Sequence, residues 1–294
     1  MSWYTDYKKS LKMSGVEEIF DLFFYRPLAF LLVKIVYPTN ITPNQLTVGA
    51  IIMGVTGGIF YAQGSPLAPH YYVIGALFFM MFNILDCSDG QLARLKNNGT
   101  HTGRIIDGVS DYIAFASVYI GIAFGFANHT NNPALFWGLL TLTALSNSIH
   151  ALLLDYYRSR FLDYVLERKS TFEEGLDEFR LEYESIKNQK GKQFDRAIIG
   201  IYIWYTSLQN NLAAKKSYEK LFKATPAEYF AKNKIIIRFW IFLGSTSQVT
   251  TIILCSFFNR FDVFLWIMLV GFNAIALTSW LIQKNIDRQM QKNQ

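Results

Sequence analysis

Cysteine is nearly absent from this 294-residue chain: only Cys87 and Cys255 occur, both inside or beside apolar stretches, and they give no disulfide framework. The four histidines, His70, His101, His129 and His150, stand at no spacing that metal ligation uses. Charge is scarce as well. Asp, Glu, Lys and Arg make up 17% of the residues against 51% hydrophobic, too apolar for an ordinary soluble domain and pointing to a bilayer. The net charge of +6 comes with no DNA- or RNA-binding motif, so nucleic acid is not expected as a partner, and basic loops beside anionic lipid account for it. Residues 1–22 lack the apolar core and small-residue cleavage site of a signal peptide, and the N-terminus is expected to stay cytoplasmic. Internal repeats and low-complexity tracts are missing too.

Long apolar runs are what the chain has instead. They cover about 43–63, 70–95, 104–127, 134–157, 235–258 and 262–283, each near the roughly 20 residues that a span requires. The connections around 62–70 and 128–133 carry no Lys or Arg, and the one at 259–262 has only Arg260. Lys96, Arg104, Arg158 to Arg168 and Lys284 onward mark the other side, which the positive-inside rule makes cytoplasmic. Pro27 to Val36 is too short to span and reads as an amphipathic helix on the membrane surface, with Arg26 and Lys34 at the headgroups. The expected fold is all-α and integral to the membrane: six transmembrane helices, an N-terminal amphipathic surface helix and a helical cytoplasmic insertion. Residues 1–40 form the cytoplasmic N-terminus and surface helix, 41–162 the membrane helices with the acidic motif, 163–232 the insertion, and 233–294 the last two membrane helices and tail. Within the insertion, residues 172–192 are charged and read as a solvated helix, whereas Ala197 to Tyr205 is apolar, too short to span, and expected to pack on the headgroups or the bundle.

Acids are rare here, yet four of them cluster in Asp86 to Asp111, DCSDGQLARLKNNGTHTGRIIDGVSD. Ionisable groups between apolar runs are functional candidates because burying them is costly. Asp86, Asp89, Gly90 and Ala93 share one helix face, Gly103, Asp107 and Asp111 share a face of the next helix, and Asn97-Asn98-Gly99 is a turn signal. At about 1.5 Å per residue outward from that turn, Asp86 lies level with Asp111 and Asp89 with Asp107. Carboxylates so placed repel unless something neutralises them, and Arg94, Lys96 and Arg104 are too few. Hard divalent cations, Mg²⁺ or Mn²⁺ rather than Zn²⁺, suit an all-carboxylate set, and two of them clamp a pyrophosphate. Phosphoryl chemistry is the expectation. Cys87 points away from the acids, about 100° round the helix from Asp86, and is expected to pack.

The pattern D-x2-D-G-x2-A-R-x8-G-x3-D-x3-D resembles, position for position, the signature of the CDP-alcohol phosphotransferases. The resemblance implies that Asp86, Asp89, Asp107 and Asp111 hold two Mg²⁺ or Mn²⁺ ions, with Asp111 also the base that deprotonates the acceptor hydroxyl. It implies donor contacts from Gly90 and Arg94 to the CDP moiety, with Thr100 where the family often has a nucleotide-contacting Ser or Thr. Tyr112 departs from the Arg that often follows the last aspartate. Thr42 and Pro43 open a helix, and the wording T-P-N-x-x-T resembles a second, shorter family motif that assigns Asn44 and Thr47 to the CDP moiety. The end of the fourth run, Asp155 to Arg160, is loosely similar to a stretch that binds a phosphorylated acceptor. On that basis Arg158 and Arg160 are acceptor candidates, with membrane anchoring as the alternative, and Arg238, one turn into the fifth run, is a further one. By family resemblance a homodimer is expected.

The implied function is transfer of a substituted phosphate to a hydroxyl acceptor with release of CMP, in phospholipid biosynthesis at a cytoplasm-facing site. CDP-diacylglycerol as donor and a polar, phosphorylated polyol such as inositol phosphate as acceptor fit the two arginines. The alternative is a soluble donor such as CDP-ethanolamine with a lipid alcohol acceptor. A cation transporter is the alternative class, though transporters show broken helices and repeats near the midplane.

Overall fold

A computed structural model describes residues 3–11, 16–166, 171–187, 189, 191–212 and 225–292. Parts of the expected insertion, at 167–170 and 213–224, lie outside the described residues. The elements are α1 (Trp3–Ser10), a π-helical turn at Asp21–Tyr25 running into α2 (Arg26–Val36), α3 (Pro43–Gln63), α4 (His70–Lys96), α5 (His101–Gly125) and α6 (Pro133–Val165). After these come α7 (Thr171–Ile186), α8 (Gln193–Leu212), α9 (Pro226–Asn233), α10 (Ile236–Phe242), α11 (Ser245–Phe257), α12 (Phe261–Trp266), a π-helical stretch at Ile267–Phe272, and α13 (Asn273–Lys292). No β-strand occurs among the described residues.

Local chemistry sets the helix starts. Thr42 and Gln45 form a capping box on α3 with Pro43 in the first turn, and the side chains of Thr100, Asn132 and Thr225 cap α5, α6 and α9. Asn97 ends α4 in the left-handed conformation at φ 50°, as an Asn-Asn-Gly turn favours.

Five helical segments are long and apolar enough to cross a membrane, and α10 with α11 makes a sixth if counted as one span. That span is not the continuous helix the apolar run 235–258 predicts: it bends by 49° between Phe242 and Ser245. Gly244 is extended there, and the Thr246 N–H donates to the Glu18 carboxylate at 2.9 Å, so an acid from the N-terminal segment satisfies a donor that the break leaves free. Two other bounds differ from the sequence expectation. α6 runs on to Val165, and the last span extends over Phe261–Gln291, its π-helical stretch joining α12 to α13.

The centre of the bundle is α3. It packs extensively against both α4 and α5, while α4 and α5 touch each other little. The two arms of the acidic hairpin therefore diverge from Asn97 around α3 instead of packing side by side. Gly54 and Gly58, four residues apart on α3, make this approach possible: a Cβ on Gly58 would run into the Ser117 backbone of α5, and one on Gly54 into Ala114. Around this seam Tyr61, Tyr72, Phe79, Phe82 and Phe261 are fully buried.

Candidate active site

The half of the hairpin next to the Asn97–Asn98 turn carries the acids. One carboxylate oxygen each from Asp86, Asp89 and Asp107 lie within 4.8 Å of one another. Asp111, one turn beyond Asp107, is near enough that its charge acts on Asp86. Asp86 Oδ1 is buried with no hydrogen-bond partner. An orphaned carboxylate oxygen among converging carboxylates is costly, and a divalent cation removes that cost by binding it. The all-oxygen donor set fits Mg²⁺ or Mn²⁺.

Helix α3 brings the second group. Asn44, in its first turn, reaches α5: a Cβ on Gly103 would stand 2.7 Å from Asn44 Oδ1, so a side chain there would have to displace the Asn44 amide. Thr47 is buried and its hydroxyl donates to Asp89 Oδ2, a partner the family resemblance did not imply. Thr100 Oγ1 accepts from the Gly103 N–H at 3.0 Å, capping α5. Gly90 leaves room for the Arg94 guanidinium, which would lie 3.3 Å from a Cβ there.

The face of α4 turned from the acids is held by the N-terminal segment and α2, which the sequence places at a cytoplasmic N-terminus and on the membrane surface. Cys87 Sγ donates to Asp21 (3.6 Å), Ser88 Oγ to the Ala29 carbonyl (3.3 Å) and Gln91 Nε2 to the Arg26 carbonyl (3.1 Å), while Arg94, whose guanidinium lies beside Gly90, donates from Nε to the Ser10 carbonyl. Arg26 is not at the headgroups but buried, 3.4 Å from Glu17, while Lys34 pairs with Asp6. Glu18 is buried against Gly244, and burial, then the charge of Asp21, push its carboxyl up to about 8. The available signal was the crowding of Glu17, Glu18, Asp21 and Arg26 directly before an apolar run. The helix α2 buries Ala29, Phe30 and Val33 and exposes Leu31 and Ile35.

The acceptor candidates do not come together. Arg160 is buried between Tyr229 Oη (3.0 Å) and Asp287 Oδ1, and packs on the Tyr157 ring. Arg158 lies where its charge acts on Glu18 and Asp155, and Arg238 is exposed on α10. Arg160→Met is therefore expected to destabilise the fold by roughly 2–4 kcal/mol. This is less than for a fully buried pair, because Asp287 keeps 22% of its side chain exposed. Thermal denaturation in detergent checks it: Arg160→Met melts well below wild type and Asp287→Leu added to it restores part of the loss. An unchanged melting temperature with a raised acceptor KM would return Arg160 to the substrate.

In the insertion, Phe179, Ile186 and Ile199 of α7 and α8 pack with Ile105 of α5, so Ala197–Tyr205 lies within a helix seated on the bundle near the site. His150 is buried and its Nε2 stands 3.3 Å from Asn273 Oδ1, a contact between α6 and α13.

Fold and site together define a multi-pass helical membrane protein with a clustered-aspartate site suited to divalent cations. Residues 40–164 match the family model of the CDP-alcohol phosphatidyltransferases. An 87-residue stretch is 37% identical to archaetidylinositol phosphate synthase of Pyrococcus horikoshii, covering 29% of this chain and 43% of that protein. Over 105 residues the chain is 27% identical to cholinephosphotransferase 1 of Gallus gallus, 34% of this chain and 31% of the relative. Over 122 residues it is 26% identical to the bifunctional IPC transferase and DIPP synthase of Thermococcus kodakarensis, 42% of this chain and 25% of that one. The chain spans less than half the length of each of these relatives.

Proposed function

We propose that this protein transfers a substituted phosphate from a CDP-activated alcohol to a hydroxyl acceptor and releases CMP, in phospholipid synthesis on the cytoplasmic side of a membrane. The observation that carries the reading is the convergence of Asp86, Asp89 and Asp107, with Asp111 one turn on, inside the stretch that matches the family. These four carboxylates would hold two Mg²⁺ or Mn²⁺ ions, which when bound neutralise the pyrophosphate and stabilise the departing CMP oxygen. Asn44, Gly90, Arg94 and Thr100 line the nucleotide side. Asp111 takes the proton of the acceptor hydroxyl as its oxygen bonds to phosphorus and the bond to CMP breaks.

Similarity to archaetidylinositol phosphate synthase favours a CDP-diacylglycerol-type lipid donor and a phosphorylated polyol acceptor such as inositol phosphate. A second reading, a soluble CDP-alcohol donor with a lipid alcohol acceptor, is favoured by the cholinephosphotransferase similarity and by the engagement of Arg160 with Asp287. CMP release by the purified protein, measured with both donor types across a panel of acceptors, decides between them. The expected result is activity with Mg²⁺ or Mn²⁺, none after exhaustive chelation, and no requirement for Zn²⁺. The break between α10 and α11 is a feature transporters share. Absence of CMP with every donor, together with cation flux in liposomes, would make the protein a transporter.

A further inference from the structure

We propose that Thr47 is a positioning residue for the metal site, acting through Asp89 and not by touching the nucleotide; this rests on the two-metal reading above. Thr47 sits on the buried seam of α3, 2% exposed, and Asp89 is 5% exposed. The Thr47 hydroxyl has one proton and two acceptors within reach, the Pro43 carbonyl at 3.2 Å and Asp89 Oδ2. The carboxylate is the stronger acceptor because it carries charge, so the proton goes to Asp89. Thr is β-branched and stiff about its first side-chain torsion, which makes it a fixed post for that hydrogen bond.

The placement follows from the fold. The capping box of Thr42 and Gln45 fixes where α3 starts, and the glycine seam fixes how close α3 lies to its neighbours. Thr47, one turn in, is thereby held against α4. With one oxygen pinned from α3, the carboxylate plane of Asp89 is set relative to Asp86 and Asp107 before any ion arrives. Ligating carboxylates are commonly oriented by such outer partners, whose loss costs about 10–100-fold in metal affinity.

The test measures Mn²⁺ affinity by electron paramagnetic resonance on the full chain in detergent, without donor, and then steady-state kinetics. Thr47→Val keeps the shape and removes the hydroxyl; it is expected to weaken Mn²⁺ binding by about 10–100-fold. Turnover should recover as metal is raised, with the donor KM at saturating metal unchanged. Thr47→Ser, which retains the hydroxyl, should stay close to wild type. Where Val is not accommodated, Thr47→Ala, which only deletes atoms, gives the same comparison. Wild-type Mn²⁺ affinity in the Val or Ala variant would overturn the proposal, and a raised donor KM alongside it would make Thr47 a nucleotide contact. If the wild-type chain itself failed to bind Mn²⁺, the metal reading would fall first, an outcome distinct from equal binding by wild type and variant.

Discussion

Asp111→Asn is expected to lower the rate of CMP release by about 10²–10⁴-fold at saturating metal, the usual contribution of a positioned general base. The amide keeps an oxygen that coordinates weakly but has no site for the acceptor proton. Asp86, Asp89 and Asp107 remain to bind, with one oxygen from each within 4.8 Å of the others, so Mn²⁺ affinity should change little. Asp86→Asn and Asp89→Asn should do the reverse and weaken Mn²⁺ binding itself. The separation matters because Asp111 is read both as ligand and as base. Near-normal turnover of Asp111→Asn would remove the base assignment, whereas a loss of Mn²⁺ binding as large as that of Asp86→Asn would make it a ligand first.

Gly58→Leu should be as damaging, through a different route. A Cβ at this position would run into the Ser117 backbone of α5, so the new side chain meets main chain and not a flexible tip. Overpacking of this kind typically costs about 1–3 kcal/mol, and a backbone obstacle puts it at the upper end or beyond. A loss of about 3 kcal/mol corresponds to a melting temperature lower by roughly 6–12 °C. Separation of α3 from α5 would also pull Asn44 from Gly103 and spread Asp107 from Asp89, so metal affinity should fall in whatever protein still folds. Gly138→Leu is the control, since a Cβ there meets nothing within 4 Å. Equal behaviour of the two variants would show that the seam does not set the site.

The acid cluster was readable from the chain because helical periodicity and turn chemistry act over a few residues. The three- and four-residue spacings fixed the faces, Asn97 and Asn98 marked the turn, and Thr42 with Pro43 marked the start of α3, whereas the cap that Thr100 places on α5 came from the structure. The break at Gly244 escaped notice because an apolar run reads the same whether or not it bends. Nor did any local signal show that α3 would lie between the hairpin arms, that Thr47 would reach Asp89 from 42 residues away, or that Arg160 would pair with Asp287 from 127. The sequence by itself determined which helices form, that they suit a bilayer, and which side chains share a face. Only the tertiary structure decided which faces meet, because that depends on how closely backbones approach at Gly54 and Gly58 and on which buried charges find partners across the bundle.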